Sequence, residues 1–90
     1  MKVEREWFDK FLNSGFVDTF RKFHPNEKNQ FTQWFGNLAR RENRGERLDY
    51  IVANTEFAEM QVTDAGILPT MHGSDHCPIY VVVKDGTISI

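Results

Sequence analysis

The chain has one cysteine, three prolines and no marked charge of either sign, its ninety residues summing to a formal −2. Each scarcity excludes something. A lone Cys77 makes no intrachain disulfide and builds no cysteine-rich zinc site, a usage that fits a reducing compartment. The small net charge leaves the chain as a whole without an electrostatic pull toward nucleic acid. No apolar run is long enough to span a bilayer, and the opening Met-Lys-Val-Glu-Arg-Glu-Trp has no signal-peptide pattern. A cytoplasmic location (nuclear in a eukaryote) with no membrane partner is therefore expected. Gly-x-Gly-x-x-Gly and P-loop patterns are missing, so nothing indicates a nucleotide cofactor. There is no internal repeat, low-complexity tract or linker, and residues 1–90 read as a single domain.

What is plentiful is aromatic. Eight Phe, two Trp and two Tyr supply the burial that so short a chain needs, because small chains bury a smaller share of their surface. Val3, Trp7, Phe8, Phe11 and Leu12 recur at helical spacing, and Gly15 stands where a helix C-cap belongs. Phe16, Val17, Phe20 and Phe23 continue that spacing to Pro25, predicting a second, shorter helix. Residues 30–35 suit a strand, residues 36–45 a polar and basic loop. Residues 47–54 alternate, with Leu48, Tyr50 and Val52 on one face, as in a strand covered on both sides. Residues 55–60 suit a short helix capped by Asn54 or Thr55. A strand interrupted at Gly66 is expected over 61–68, and the strongest strand over 78–84. Asp85-Gly86 signals a type I′ hairpin that returns the chain as an edge strand. Trp7 and Trp34 are expected in the core, as is Cys77, which precedes a proline and a buried strand.

Two short stretches carry chemistry. In Gly73-Ser74-Asp75-His76-Cys77-Pro78 a carboxylate beside an imidazole follows a flexible turn and precedes a buried strand, which sets both at the rim of a sheet. An imidazole can act as a base or bind a phosphate, and a carboxylate can ligate a hard cation. In Arg47-Leu48-Asp49-Tyr50 an acid lies within a strand-like stretch, where it is disfavoured unless partnered. A positioned histidine is one such partner, and a capped backbone amide at a strand end is the other. Arg40, Arg41, Arg44 and Arg47 form a basic stretch with Glu42 and Glu46 interleaved. It reads as a phosphate-contact patch or, more simply on charge alone, as a solvated, salt-bridged loop.

The segments Gly15-Phe16-Val17-Asp18-Thr19-Phe20-Arg21, Phe31-Thr32-x-Trp34, Asn43-x-Gly45-x-Arg47-Leu48-Asp49-Tyr50 and Gly73-Ser74-Asp75-His76-Cys77-Pro78 occur in this order. Together they resemble the closing segments of the exonuclease III and AP endonuclease family, within the endonuclease/exonuclease/phosphatase superfamily. The resemblance runs over nearly the whole chain. It implies an α/β fold, the C-terminal part of a four-layered α/β sandwich with a mostly antiparallel sheet flanked by helices. It implies metal-assisted hydrolysis of phosphodiester bonds at abasic sites in DNA, with Mg²⁺ or Mn²⁺ as cofactor and DNA as partner. By the same resemblance His76 matches the catalytic histidine, Asp49 its carboxylate partner and Asp75 the aspartate at the metal cluster. Arg40 and Asn43 fall in a loop that approaches DNA.

Two departures accompany it. The family's metal-binding Asn and Glu, its active-site Tyr and its Asp-x-Asn pair lie in segments without a counterpart here. Gln33 and Glu46 stand where apolar side chains wall the sugar pocket. The expectation is therefore part of a DNA phosphodiesterase that is inactive alone and pairs as a homodimer or with a complementing N-terminal half. A non-catalytic folding or assembly fragment, or a superfamily relative with a substrate other than DNA, is the alternative.

Overall fold

The computed structural model describes residues 2–90, with side chains from residue 5 onward. Val3, expected on the apolar face of the first helix, lies outside the described side chains. Helix α1 (Lys2–Asn13) lays Phe8 against Tyr50, ring centres 4.5 Å apart, and Phe11 on Phe16 at the same distance. Trp7 stacks on Phe11 but is 67% exposed, so the expectation that it joins the core is corrected. Among the described side chains of the helix, Phe8, Phe11 and Leu12 are half-buried against the body and Trp7 is exposed. Gly15, at φ +109, turns the chain out of the helix in a conformation that L side chains rarely adopt.

The expected second helix is two elements. Strand β1 (Phe16–Asp18) comes first, and only then α2 (Thr19–Phe23). Asp18 makes the boundary, because its carboxylate accepts from the Arg21 amide at 3.4 Å as an N-cap. The basic loop also holds structure, with β2 (Gln33–Trp34) and β3 (Gly45–Glu46) bracketing a short α3 (Asn37–Arg41) that buries Ala39.

Strand β4 (Val52–Asn54) is shorter than the alternation at 47–54 predicts. Residues 47–51 lie outside the ladder, and Thr32 takes two of their donors. The Leu48 and Asp49 amides both donate to Thr32 Oγ1, at 2.9 and 3.1 Å. Leu48 is consequently 48% exposed rather than lining a covered face. Helix α4 (Thr55–Met60) is capped by Asn54, whose Oδ1 accepts from the Phe57 amide at 2.7 Å.

Strands β5 (Val62–Ile67), β6 (Ile79–Val83) and β7 (Gly86–Ser89) form the largest sheet in that order. Gly66 does not interrupt β5. The Tyr80 ring of the neighbouring strand occupies the space a side chain there would fill, so a bare position is required rather than a break. The β6–β7 loop consists of Lys84 and Asp85, with Gly86 already paired to Val83. A type I′ turn needs positive φ at both loop residues, and among the described non-glycine residues only Asn29 and Asn43 have it. The hairpin forms, with a different turn.

Every strand pairing is antiparallel, in sheets β1–β4, β2–β3 and β5–β6–β7. The expected α/β class holds, with helices beside antiparallel strands. The strands are split among three small sheets, and a single bridge from Gln33 to His76 connects β2 to the segment before β6. Apolar packing is likewise in two clusters. Trp34, Ala39 and Cys77 pack with Phe31 and Ile67, while Val62, Ala65 and Val81 pack with Phe23, Ile51 and Val83. Among the described residues no helix is long and apolar enough to cross a membrane.

Candidate active site

Thr32 is the residue on which the site is built. It is fully buried between the two strand-like stretches that carry the candidate acids and histidine. Its hydroxyl receives the Leu48 and Asp49 amides, and its carbonyl accepts from the Cys77 amide at 2.9 Å. One side chain and one peptide thus draw Asp49 and His76 together across 27 residues of sequence.

His76 Nδ1 lies 2.8 Å from Asp49 Oδ2. A carboxylate only accepts, so Nδ1 carries the proton and Nε2 is the nitrogen left for a ligand. The hydrogen bond to Asp49 holds the imidazole above its ordinary pKa, against some desolvation, with the negative charges of Asp49 and Asp75 acting in the same direction. The pair is neither sealed nor free, with side chains 40% and 33% exposed. His76 lines an open cleft with Met71, Ser74, Pro78 and Ile90.

Asp75 stands beside it, its carbonyl accepting from the Trp34 amide at 3.0 Å. Gln33 Nε2 donates to Asp75 Oδ2 at 3.3 Å, and this bond is the main reason the carboxyl sits below its ordinary pKa. Gln33 is in turn cross-strand to Glu46 and bridged to His76. Directly paired residues share a sheet face with Cβ atoms roughly 5 Å apart. An amide and a carboxylate therefore follow His76 along one rung.

Arg40 and Asn43, expected in a loop facing DNA, are turned to the chain itself. Arg40 donates to the carbonyls of Pro69, Met71 and Ser74, and its guanidinium carbon lies 4.4 Å from the centre of the Trp34 ring. Asn43, in the left-handed region at φ 54, accepts from Trp34 Nε1 at 3.0 Å and donates to the Asn29 carbonyl at 3.1 Å. Trp34 is 2% exposed and belongs to the core. These contacts engage part of the hydrogen-bonding capacity of both side chains, while Asn43 stays exposed and Arg40 half-buried.

Of the three residues that sequence reasoning named, the structure hydrogen-bonds Asp49 to His76 and holds Asp75 on Gln33 instead. Sequence reasoning missed the parts that hold them. Thr32 sat within a recognised segment without a role, and Gln33 was read as a pocket wall rather than as the partner of Asp75. The Asp18–Arg47 ion pair was also unforeseen. Arg47 Nη1 donates to Asp18 Oδ1 at 3.1 Å, Nη2 bonds the other oxygen, and the guanidinium lies between Phe20 and Tyr50. A buried acid at 18 and an arginine in the strand-like stretch at 47 were the available signal.

No family model matches the chain. Individual proteins do. It is 47% identical over 70 residues to DNA-(apurinic or apyrimidinic site) endonuclease 2 of Xenopus laevis, covering 77% of this chain and 14% of that protein. Against the exodeoxyribonuclease of Bacillus subtilis it is 41% identical over 82 residues, 90% of this chain and 32% of that one. The crystal structure of the Xenopus laevis APE2 catalytic domain superimposes with a TM-score of 0.84 at 41% identity, over 96% of this chain and 28% of that domain. The chain is homologous to one part of the AP endonucleases and exodeoxyribonucleases. AP endonuclease LMAP from Leishmania major gives a TM-score of 0.80 at 35% identity, over 87% of this chain and 24% of the other. The chain thus spans a third or less of the proteins it matches.

Proposed function

We propose that this chain carries part of the active site of a DNA-repair phosphodiesterase, of the abasic-site endonuclease and exodeoxyribonuclease type. The observation that carries the reading is the 2.8 Å contact between His76 Nδ1 and Asp49 Oδ2, in a chain homologous to such enzymes. Asp49 fixes the ring, and Nε2 faces the substrate. Because the pair favours imidazolium, His76 is suited to donate to a phosphate oxygen and to offset its charge. In the neutral form Nε2 accepts, and can take a proton from water. Asp75, fixed by Gln33, supplies an anionic oxygen beside the ring. Arg40 and Asn43 enter this reading as supports of the rim rather than as phosphate contacts.

Mg²⁺ or Mn²⁺ is the cofactor that the family resemblance implies. Among the described residues no three His, Cys, Asp or Glu side chains converge on a point. Asp49 is engaged by His76, which leaves Asp75 as one oxygen donor for a cation that prefers six. These residues alone do not fit the metal, and Asp75 is at most one ligand of a site completed by other residues. The isolated chain is therefore expected to show no cleavage of abasic-site DNA with either ion.

The decisive experiment is a graft. These ninety residues replace the matching segment of the Bacillus subtilis exodeoxyribonuclease. The chimera is expected to cut abasic-site DNA and to lose at least about 100-fold in rate on His76→Ala. A folded chimera that is inert, or one indifferent to His76, overturns the reading.

One observation favours a second reading. Glu46 and Gln33 lie along the same rung as His76, and a carboxylate there disfavours a neighbouring phosphate. A chimera that binds abasic-site DNA only after Glu46→Gln would point to another phosphodiester substrate or to a non-catalytic chain.

A further inference from the structure

The segment joining β5 to β6 carries Asp75 and His76 and has little regular structure of its own. Its internal backbone bonds include Leu68 N to Pro78 O at 2.9 Å and Met71 N to Leu68 O at 3.2 Å. Its carbonyls nevertheless converge. Those of Pro69, Met71 and Ser74 all point at Arg40, 3.0, 2.9 and 2.9 Å from its Nη2, Nη2 and Nη1. Three carbonyl dipoles aimed at one place repel one another unless a cation sits among them. A guanidinium meets that need with a planar fork of donors, whereas an ammonium on a flexible stem does not span three separated oxygens.

The guanidinium is itself held against an aromatic face. Its carbon lies 4.4 Å from the centre of the buried Trp34 ring, while its Nε is buried without a hydrogen-bond partner. Trp34 is anchored on its other edge, where its indole N–H reaches Asn43, and its amide bonds the Asp75 carbonyl. The chain of contacts thus runs from α3 through Trp34 to the peptide of Asp75.

We propose that Arg40 is a positioning residue, one that fixes the 69–74 loop on Trp34 and thereby sets where Asp75 and His76 stand. Its meaning for catalysis rests on the nuclease reading above. The geometric role stands apart from it.

The test uses the ¹⁵N-labelled full chain with Arg40→Lys and Arg40→Ala. Two quantities are read, amide hydrogen exchange and the His76 ring ¹⁵N signals at a pH where the ring is neutral. With Arg40 intact the ring should hold its proton on Nδ1. In Arg40→Lys, exchange at the Met71 and His76 amides is expected to rise about tenfold or more, while Ala65 and Val81 stay within about twofold. The ring should then show a mixture with the Nε2–H form. Unchanged loop exchange and ring signals in Arg40→Lys overturn the proposal, and so does uniform acceleration at every amide, which would mark a merely stabilising contact. Should Arg40→Ala fail to fold, Arg40→Lys decides alone, since it keeps the charge on Trp34. None of these readouts needs activity. An inert graft with a loosened loop would count against the nuclease reading and leave Arg40's role standing.

Discussion

His76 divides its two ring nitrogens between the protein and whatever enters the cleft, and Asp49 decides which is which. Since the bond to Asp49 is the leading cause of the raised pKa, Asp49→Ala should bring the His76 pKa down, and Asp49→Asn should lower it as well by removing the charge. Proton-detected NMR titration measures this directly, and an unchanged midpoint would dissolve the pairing. The sign carries over to stability and binding. A group with a raised folded pKa stabilises below its ordinary value and loses that contribution as pH rises through the folded value. Phosphate binding at His76 should weaken over the same range. Asp75 behaves in the opposite sense, because Gln33 holds its pKa down. Gln33→Ala should raise it, and the stabilisation should vanish as pH falls through the folded value. The Asp49–His76 pair was legible only through the family resemblance, because an acid in a strand-like stretch could equally have capped a backbone amide. Gln33 with Asp75 was not, because a bond between residues 42 apart leaves no local pattern.

At the scale of elements, two buried polar anchors do what short strands cannot. Sheets of two and three residues per strand offer few ladder bonds, and Thr32 and the Asp18–Arg47 pair join them instead. Asp18 caps α2 while receiving Arg47 from the stretch that leads to Asp49. With side chains 14% and 6% exposed, the pair is costly to break on one side only. Arg47→Ala should destabilise by roughly 3–5 kcal/mol through the carboxylate left unpaired. Thr32→Val, which keeps the shape and orphans two amides, should cost roughly 1–3 kcal/mol for each. Urea unfolding of both variants gives the values, and a loss under about 0.5 kcal/mol in either would mean the anchor is not one. The same anchors explain which boundaries sequence reading misplaced. Periodicity at 16–23 fits a helix throughout, yet the Asp18 cap and the pairing of β1 with β4 divide it. Alternation at 47–54 fits a strand throughout, yet its first half lies outside the ladder, with two of its amides on the Thr32 hydroxyl. Both competing interactions are tertiary and leave no trace in local spacing. The hairpin from β6 to β7 was legible because a run of β-branched residues followed by a turn is a local signal.

The whole molecule leaves apolar surface on several sides. Trp7, Phe35, Leu38, Leu48, Met60 and Ile90 are each between 48% and 70% exposed, many large apolar side chains for a chain of this length. Monomeric proteins seldom leave so much uncovered. The rim of the largest sheet adds to it, since every residue of β7 is exposed and only one side of that strand is paired, to β6. An unpaired edge offers amides and carbonyls to a second strand, and Ile88 on that edge is half exposed. Joining two copies along β7 would extend three strands to six and bury apolar area at about 25 cal/mol per Å², before the entropy of association is subtracted. The isolated chain is therefore expected to self-associate at low micromolar concentration. Sedimentation equilibrium measures the state, and Ile88→Lys, which sets a charge on the edge without touching the candidate site, should shift it toward monomer. A monomeric wild-type chain with sharp, dispersed amide signals and no binding of an apolar dye would show that the exposed surface needs no partner. Association that survives Ile88→Lys would instead move the interface from β7 to other exposed apolar side chains such as Leu48 or Met60.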